Sequence, residues 1–267
     1  QAALDDIHRR LVRGDAPPLW AAPRDADRRE AEAIKQGMSV EMGFAEAYGA
    51  AAPPNARVLR VLETLLLPVM LWLAWRDRAA PATSNADRRV LRRPISAWLL
   101  LASLGVMLLE ADAPTLVLEA PLLIALIPVL RLLPAWHVQR LAYVPALAVL
   151  LYLLDRLGLL VMASGYWYRW YQLGVALAAL ALTGWLLWGL RAGWLASSPT
   201  VLRVARSAGR FVAVLLVVSL LANVAGNTSL AETLASGVVD SVYFALLLFA
   251  GVRVLLAALG AALRHAH

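Results

Sequence analysis

Seven stretches of the chain are almost free of polar residues: about 58 to 75, 95 to 109, 115 to 130, 141 to 154, 172 to 190, 211 to 225 and 234 to 252. Long apolar runs without the two-residue alternation of strands predict helices that are apolar all round, and such helices belong in a membrane. The expected fold is all-α, a polytopic helical membrane protein with about seven transmembrane helices. At about 1.5 Å per residue, the fifth and seventh runs cross a ~30 Å hydrocarbon core unaided, whereas the third and fourth are short. Pro121, Pro128 and Pro145 fall inside that short pair. Kinked helices or a half-crossing hairpin are alternatives there, because proline frees a carbonyl that only neighbouring protein or water can satisfy. Residues 157 to 169 read as an interfacial connector, with Tyr166, Trp167, Tyr168, Trp170 and Tyr171 at headgroup depth.

Residues 1 to 57 follow a different pattern. Leu4, Ile7 and Leu11 repeat at helical spacing, Gly14 to Pro18 break that segment, and Leu19 and Trp20 offer an apolar anchor. A second helix is expected from about Asp25 to Tyr48, with Ile34, Met38, Met42, Ala45 and Tyr48 on one stripe, and Pro53 and Pro54 ending it. This stretch carries 9 of the 18 acidic and 8 of the 25 basic residues, which makes it a water-facing, amphipathic helical arm.

Composition agrees with a membrane solvent. Of 267 residues, 61% are hydrophobic and 16% charged, against roughly 45–50% and 25% in soluble domains. The absence of cysteine excludes disulfides, thiolate nucleophiles and Cys-ligated metals. A net charge of +7 suggests nucleic acid in a soluble protein, but here the arginines stand between apolar runs, where topology and anionic lipid account for them, so no nucleic-acid partner is expected.

The arginines also orient the chain. Residues 76 to 94 hold six, 131 to 140 two, 191 to 210 four, and the tail from Arg253 two, while the alternate loops hold only Arg156 and Arg169. Fourteen against two places the arginine-rich loops and the carboxyl terminus in the cytoplasm, with the arm of residues 1 to 57 outside.

No catalytic constellation is legible, and none is expected. His8, His137, His265 and His267 are dispersed, so neither a metal site nor a metalloprotease follows. No phosphate-cradling glycine loop or dinucleotide fingerprint is present, and no cofactor is implied. The informative polar groups are Glu63, Glu119 and Asp240 inside the runs, which the orientation puts near the outer face with Arg60, Asn223 and Asn227 in reach. They form either a proton or cation site, or an outer polar layer of hydrated and hydrogen-bonded acids. Arg88, Arg89, Arg92 and Arg93, and Arg203, Arg206 and Arg210, read as contacts to anionic headgroups, as topology signals, or as both. Gly189 and Gly193 have the spacing at which helices approach closely, and Trp72, Trp75, Trp98, Trp136, Trp188 and Trp194 read as belt residues.

Four segments carry a family resemblance: Gly14-Asp15-Ala16-Pro17-Pro18-Leu19-Trp20, Trp72-Leu73-Ala74-Trp75-Arg76, Arg92-Arg93-Pro94, and Asn223 through Glu232. They resemble the larger, multi-helix bacterial members of the small-conductance mechanosensitive channel family. The resemblance implies an inner-membrane homo-heptamer in which peripheral helices sense lipid tension and a glycine- and alanine-patterned helix lines the pore. No run reads as that pore helix, so the chain is expected to be the amino-terminal sensor portion. Residues 1–57 would be the arm, 58–190 a peripheral paddle of about five spans, and 191–267 a cytoplasmic loop with the last two spans. The competing readings are a secondary transporter or membrane enzyme built on the acidic layer, and a membrane scaffold.

Overall fold

The computed structural model describes residues 19, 39, 40, 42–51, 54–76, 89–110, 113–132, 143–161, 165–194 and 198–264. Among these the chain is helical with no strand. Seven helices follow one another: α1 (Pro54–Arg76), α2 (Pro94–Leu109), α3 (Thr115–Leu132), α4 (Val144–Val161), α5 (Gly165–Arg191), α6 (Pro199–Ala225) and α7 (Thr228–Arg264). Six of them contain one of the apolar runs whole, and α4 holds the fourth run from Val144 onward. Four are long and apolar enough to cross a membrane, over Ala56–Arg76, Tyr168–Arg191, Pro199–Ala225 and Thr228–Arg264. The protein is thus a helical membrane protein with four candidate spans, and the remaining three helices are 16, 18 and 18 residues long.

Helix boundaries follow local chemistry. Pro54, Pro94 and Pro199 stand at helix starts, where the missing N–H costs nothing, and Ser198 Oγ accepts from Val201 N at the start of α6. Pro145 likewise sits in the first turn of α4 rather than in its middle, so it kinks nothing. Pro121 and Pro128 do lie within α3, which nevertheless continues as a helix to Leu132. The expected connector at 157 to 169 is mostly helix: α4 runs to Val161 and α5 begins at Gly165. Likewise α7 extends three turns past the expected end at residue 252. Of the amino-terminal arm, residues 42–51 are helical, with Met42 and Phe44 exposed and Ala45 and Tyr48 half-buried. Ile34 and Met38 of the expected stripe lie outside the described residues.

The chain divides into two compact units, one of Gln1–Ile34 and Trp136–Tyr243, the other of Lys35–Ala135 and Phe244–His267. In the second, α1 packs on α2 and α2 on α3. The carboxyl-terminal part of α7 adds a seam of mostly small residues, Leu247, Ala250, Val254, Ala257 and Ala261 at steps of three and four, with Gly251 beside Ala250. Ala261 packs with Leu73 and Leu91, and a Cβ on Gly251 would stand 2.3 Å from Leu104 Cδ1. Such close approach suits a membrane interior, where packing rather than water exclusion joins helices.

In the first unit α5 packs along α6 and against α4. Leu216 of α6, Ala179 of α5 and Val238 of α7 share a buried cluster, and Gly209 of α6 leaves room for Leu187 of α5. The α6–α7 hairpin is nearly a minimal one. Gly226 adopts φ 95°, a left-handed conformation open to glycine at little cost, and ends α6 while Asn227 N donates back to Ala222 O at 2.9 Å. Asn227 Oδ1 then accepts from Leu230 N at 3.1 Å and caps α7.

Candidate functional site

At the α6–α7 turn of the first unit, the end of α4, the start of α5, the end of α6 and the first turns of α7 meet through polar side chains rather than through core. Arg156 Nη2 donates to both carboxylate oxygens of Asp240 at 2.7 Å, joining α4 to α7. The guanidinium lies 5.3 Å from the ring centroid of Tyr152, one turn earlier, and Tyr152 stacks on Tyr243 with centroids 4.1 Å apart. Both tyrosines are buried, so the ion pair rests on an aromatic floor.

A second tie joins α5 to α7, where Tyr168 Oη donates to Glu232 at 2.9 Å. A third joins α5 to α6. Arg169, buried on α5, donates from Nη2 to the carbonyl of Asn223 at 2.6 Å, and Asn223 Nδ2 donates to the carbonyl of Arg169 at 3.0 Å. One turn along α6, Ser219 Oγ donates to Ala231 O of α7 at 2.7 Å. Leu19, the described residue of the arm motif, is buried and its N–H donates to Val224 O at 3.3 Å, so this residue lies at the same end of α6. Charged groups are costly in hydrocarbon and are held there by partners; each helix end in this cluster has one.

Asp240, Asn223 and Asn227 belong to this unit, whereas Glu63 of α1 and Glu119 of α3, both half-buried, belong to the other. There Tyr48 Oη donates to buried Glu110 at 3.2 Å, and the indole of Trp98 donates to the Glu63 carbonyl at 2.8 Å, so Trp98 ties α2 to α1. Among the described residues, no group of three or more His, Cys, Asp or Glu could hold a metal ion.

The arginines expected at headgroups fall into two kinds. Arg92, Arg203 and Arg210 are exposed. Arg93 donates to the carbonyl of Arg131 at the end of α3, and Arg206 to that of Leu190 at the end of α5, both at 2.8 Å. These two satisfy helix-terminal carbonyls, where a cation also meets the negative end of the helix dipole. Arg89 is half-buried, and Arg88 lies outside the described residues. Gly189 and Gly193 do not join helices. Gly193, at φ 73°, reverses the chain after α5, and a Cβ on Gly189 would stand 2.2 Å from the Trp194 ring.

The residues missing from the sequence reading of this site are Arg156, Arg169, Tyr168 and Glu232. Their signal was present, since two lone arginines on the arginine-poor side of a membrane protein require a reason other than topology. Comparison of the chain with protein-family models, with curated proteins and with solved structures finds no match, so its function has to be read from these residues and helices alone.

Proposed function

We propose that this chain is the tension-sensing transmembrane portion of a mechanosensitive ion channel of the bacterial inner membrane, a non-enzymatic homo-oligomer that releases ions or small solutes under osmotic downshock. The observation that carries this reading is how little of the long helices the chain itself covers. Only 22% of the spanning window is buried for α1, α5 and α6, and 33% for α7. With few residues fully buried, each of these helices turns an apolar face outward, where lipid meets it, and lipid-facing area is what bilayer tension acts on.

The short helices add the second ingredient. α2, α3 and α4 reach about 24–27 Å at ~1.5 Å per residue, below the ~30 Å core, so their mismatch energy changes as a stretched bilayer thins. In this reading all seven helices cross, the amino terminus lies outside, the carboxyl terminus lies in the cytoplasm, and α1 to α5 form the paddle. The polar ties between α4, α5, α6 and α7 would favour one packing of the first unit, and tension would favour another.

Patch recording from giant liposomes tests it. The protein carrying this chain should open under suction, and removal of residues 58–190 should shift or abolish the tension response in protein that still inserts its last two spans. An inserted, assembled deletion that gates at the parent's tension would show that these helices are not the sensor.

A further inference from the structure

Where α5 ends, at the opposite end of the first unit from the polar ties, Tyr143 just before α4, Leu147 of α4, and Trp185, Trp188 and Trp194 line an open groove of about 610 Å³. That volume is in the range of ligand sites, roughly 300–1,000 Å³. The groove is built rather than incidental. Gly193 turns the chain back, Trp194 N donates to Gly189 O at 3.1 Å, and bare Gly189 lets the Trp194 ring lie on the helix. Trp194 then meets Trp185 and Trp188 edge to face, each at 5.3 Å between centroids.

We propose that this groove holds an acyl chain of an anionic phospholipid, with the lipid phosphate on Arg191. The location selects a lipid. α5 is a candidate span, the groove lies at its end, and Tyr143 and Trp188 are 71% and 59% exposed, so bilayer rather than water covers them. The charge selects an anionic one. Exposed Arg191 stands one turn beyond Trp188, and no Asp or Glu occurs from Ala120 to Leu154 or from Arg156 to Ala231. A phosphate at Arg191 therefore meets a cation, the surrounding sequence brings no competing carboxylate, and amphipathic indoles sit where tail meets headgroup. The site needs only that α5 be embedded, and does not rest on channel activity.

The test uses the full chain in vesicles of phosphatidylcholine containing a trace of phosphatidylglycerol with a photoreactive acyl chain, followed by peptide mapping. Labelling should concentrate at residues 143–147 and 185–194, and excess unlabelled phosphatidylglycerol should compete it away where phosphatidylcholine does not. Arg191→Gln should lower labelling about fivefold and Arg191→Lys should retain most of it. Gly189→Leu should abolish it by displacing Trp194, with melting of the purified protein reporting whether the fold survives. Equal labelling along all outward apolar faces, or equal competition by both lipids, would reduce the groove to ordinary bilayer contact. Cross-linking of a Trp188→Cys variant to a second copy by a short bifunctional thiol reagent, with no lipid label at the groove, would overturn the proposal in favour of a subunit interface.

Discussion

Arg156 and Asp240 lie 84 residues apart and meet through one guanidinium nitrogen that reaches both carboxylate oxygens. Their side chains are 17% and 40% exposed, so the pair is neither solvated nor sealed. Asp240→Asn should cost stability between the ~1 kcal/mol of an exposed pair and the ~3–5 kcal/mol of a broken buried one. Thermal melting in a fixed detergent measures this, and the exchanged pair Arg156→Asp with Asp240→Arg should recover part of the loss. No recovery would mean that each residue acts through other neighbours.

The α6–α7 turn gives a second expectation. Asn227→Ala removes the cap of α7 and should cost ~1 kcal/mol, while Asn227→Ser should keep most of it. Gly226→Ala places a side chain on left-handed backbone and should cost about 1–2 kcal/mol. Equal melting of all three variants and the parent would remove the turn from the list of stabilising features.

Close packing in the second unit is testable by size. Gly251→Ala puts a methyl against Leu104 and should cost about 1–3 kcal/mol, and adding Leu104→Ala should relieve part of that cost. A double variant as unstable as the sum of the singles would argue against direct contact.

The seven runs of apolar residues fall on α1 to α7, because length and hydropathy are local properties. The ties between helices were not local. Arg156 and Arg169 entered the sequence reading only as charges that set topology, since nothing in their neighbourhood names partners at Asp240 and Asn223. Gly189 and Gly193 matched a helix-contact spacing, yet they end a helix, because the same two residues serve either purpose and only the turn after Arg191 decides.

The arginines give a prediction that separates their two kinds. Arg93→Gln and Arg206→Gln should lower the melting temperature, as each leaves a helix-terminal carbonyl without its donor. Arg92→Gln, Arg203→Gln and Arg210→Gln should barely change melting but should reduce retention of anionic lipid through purification. The opposite assignment of effects would reverse their roles.

Topology has a direct test, since the chain contains no cysteine. Asp27→Cys should react with an impermeant thiol reagent from outside the cell, and Ala86→Cys only from the cytoplasmic side. Labelling of Asp27→Cys from the cytoplasm alone would sink the orientation.

The carboxyl-terminal half of α7 buries alanine and glycine at four of the six positions of its seam, with only Leu247 and Val254 offering branched side chains. Register between packed helices is held by knobs seated in holes, and a methyl makes a shallow knob. Such a seam resists separation through close backbone contact but opposes axial displacement weakly. Axial slip has to reseat Leu247 and Val254 and lift Leu104 out of the space at Gly251, so resistance along the helix axis is concentrated at these three side chains.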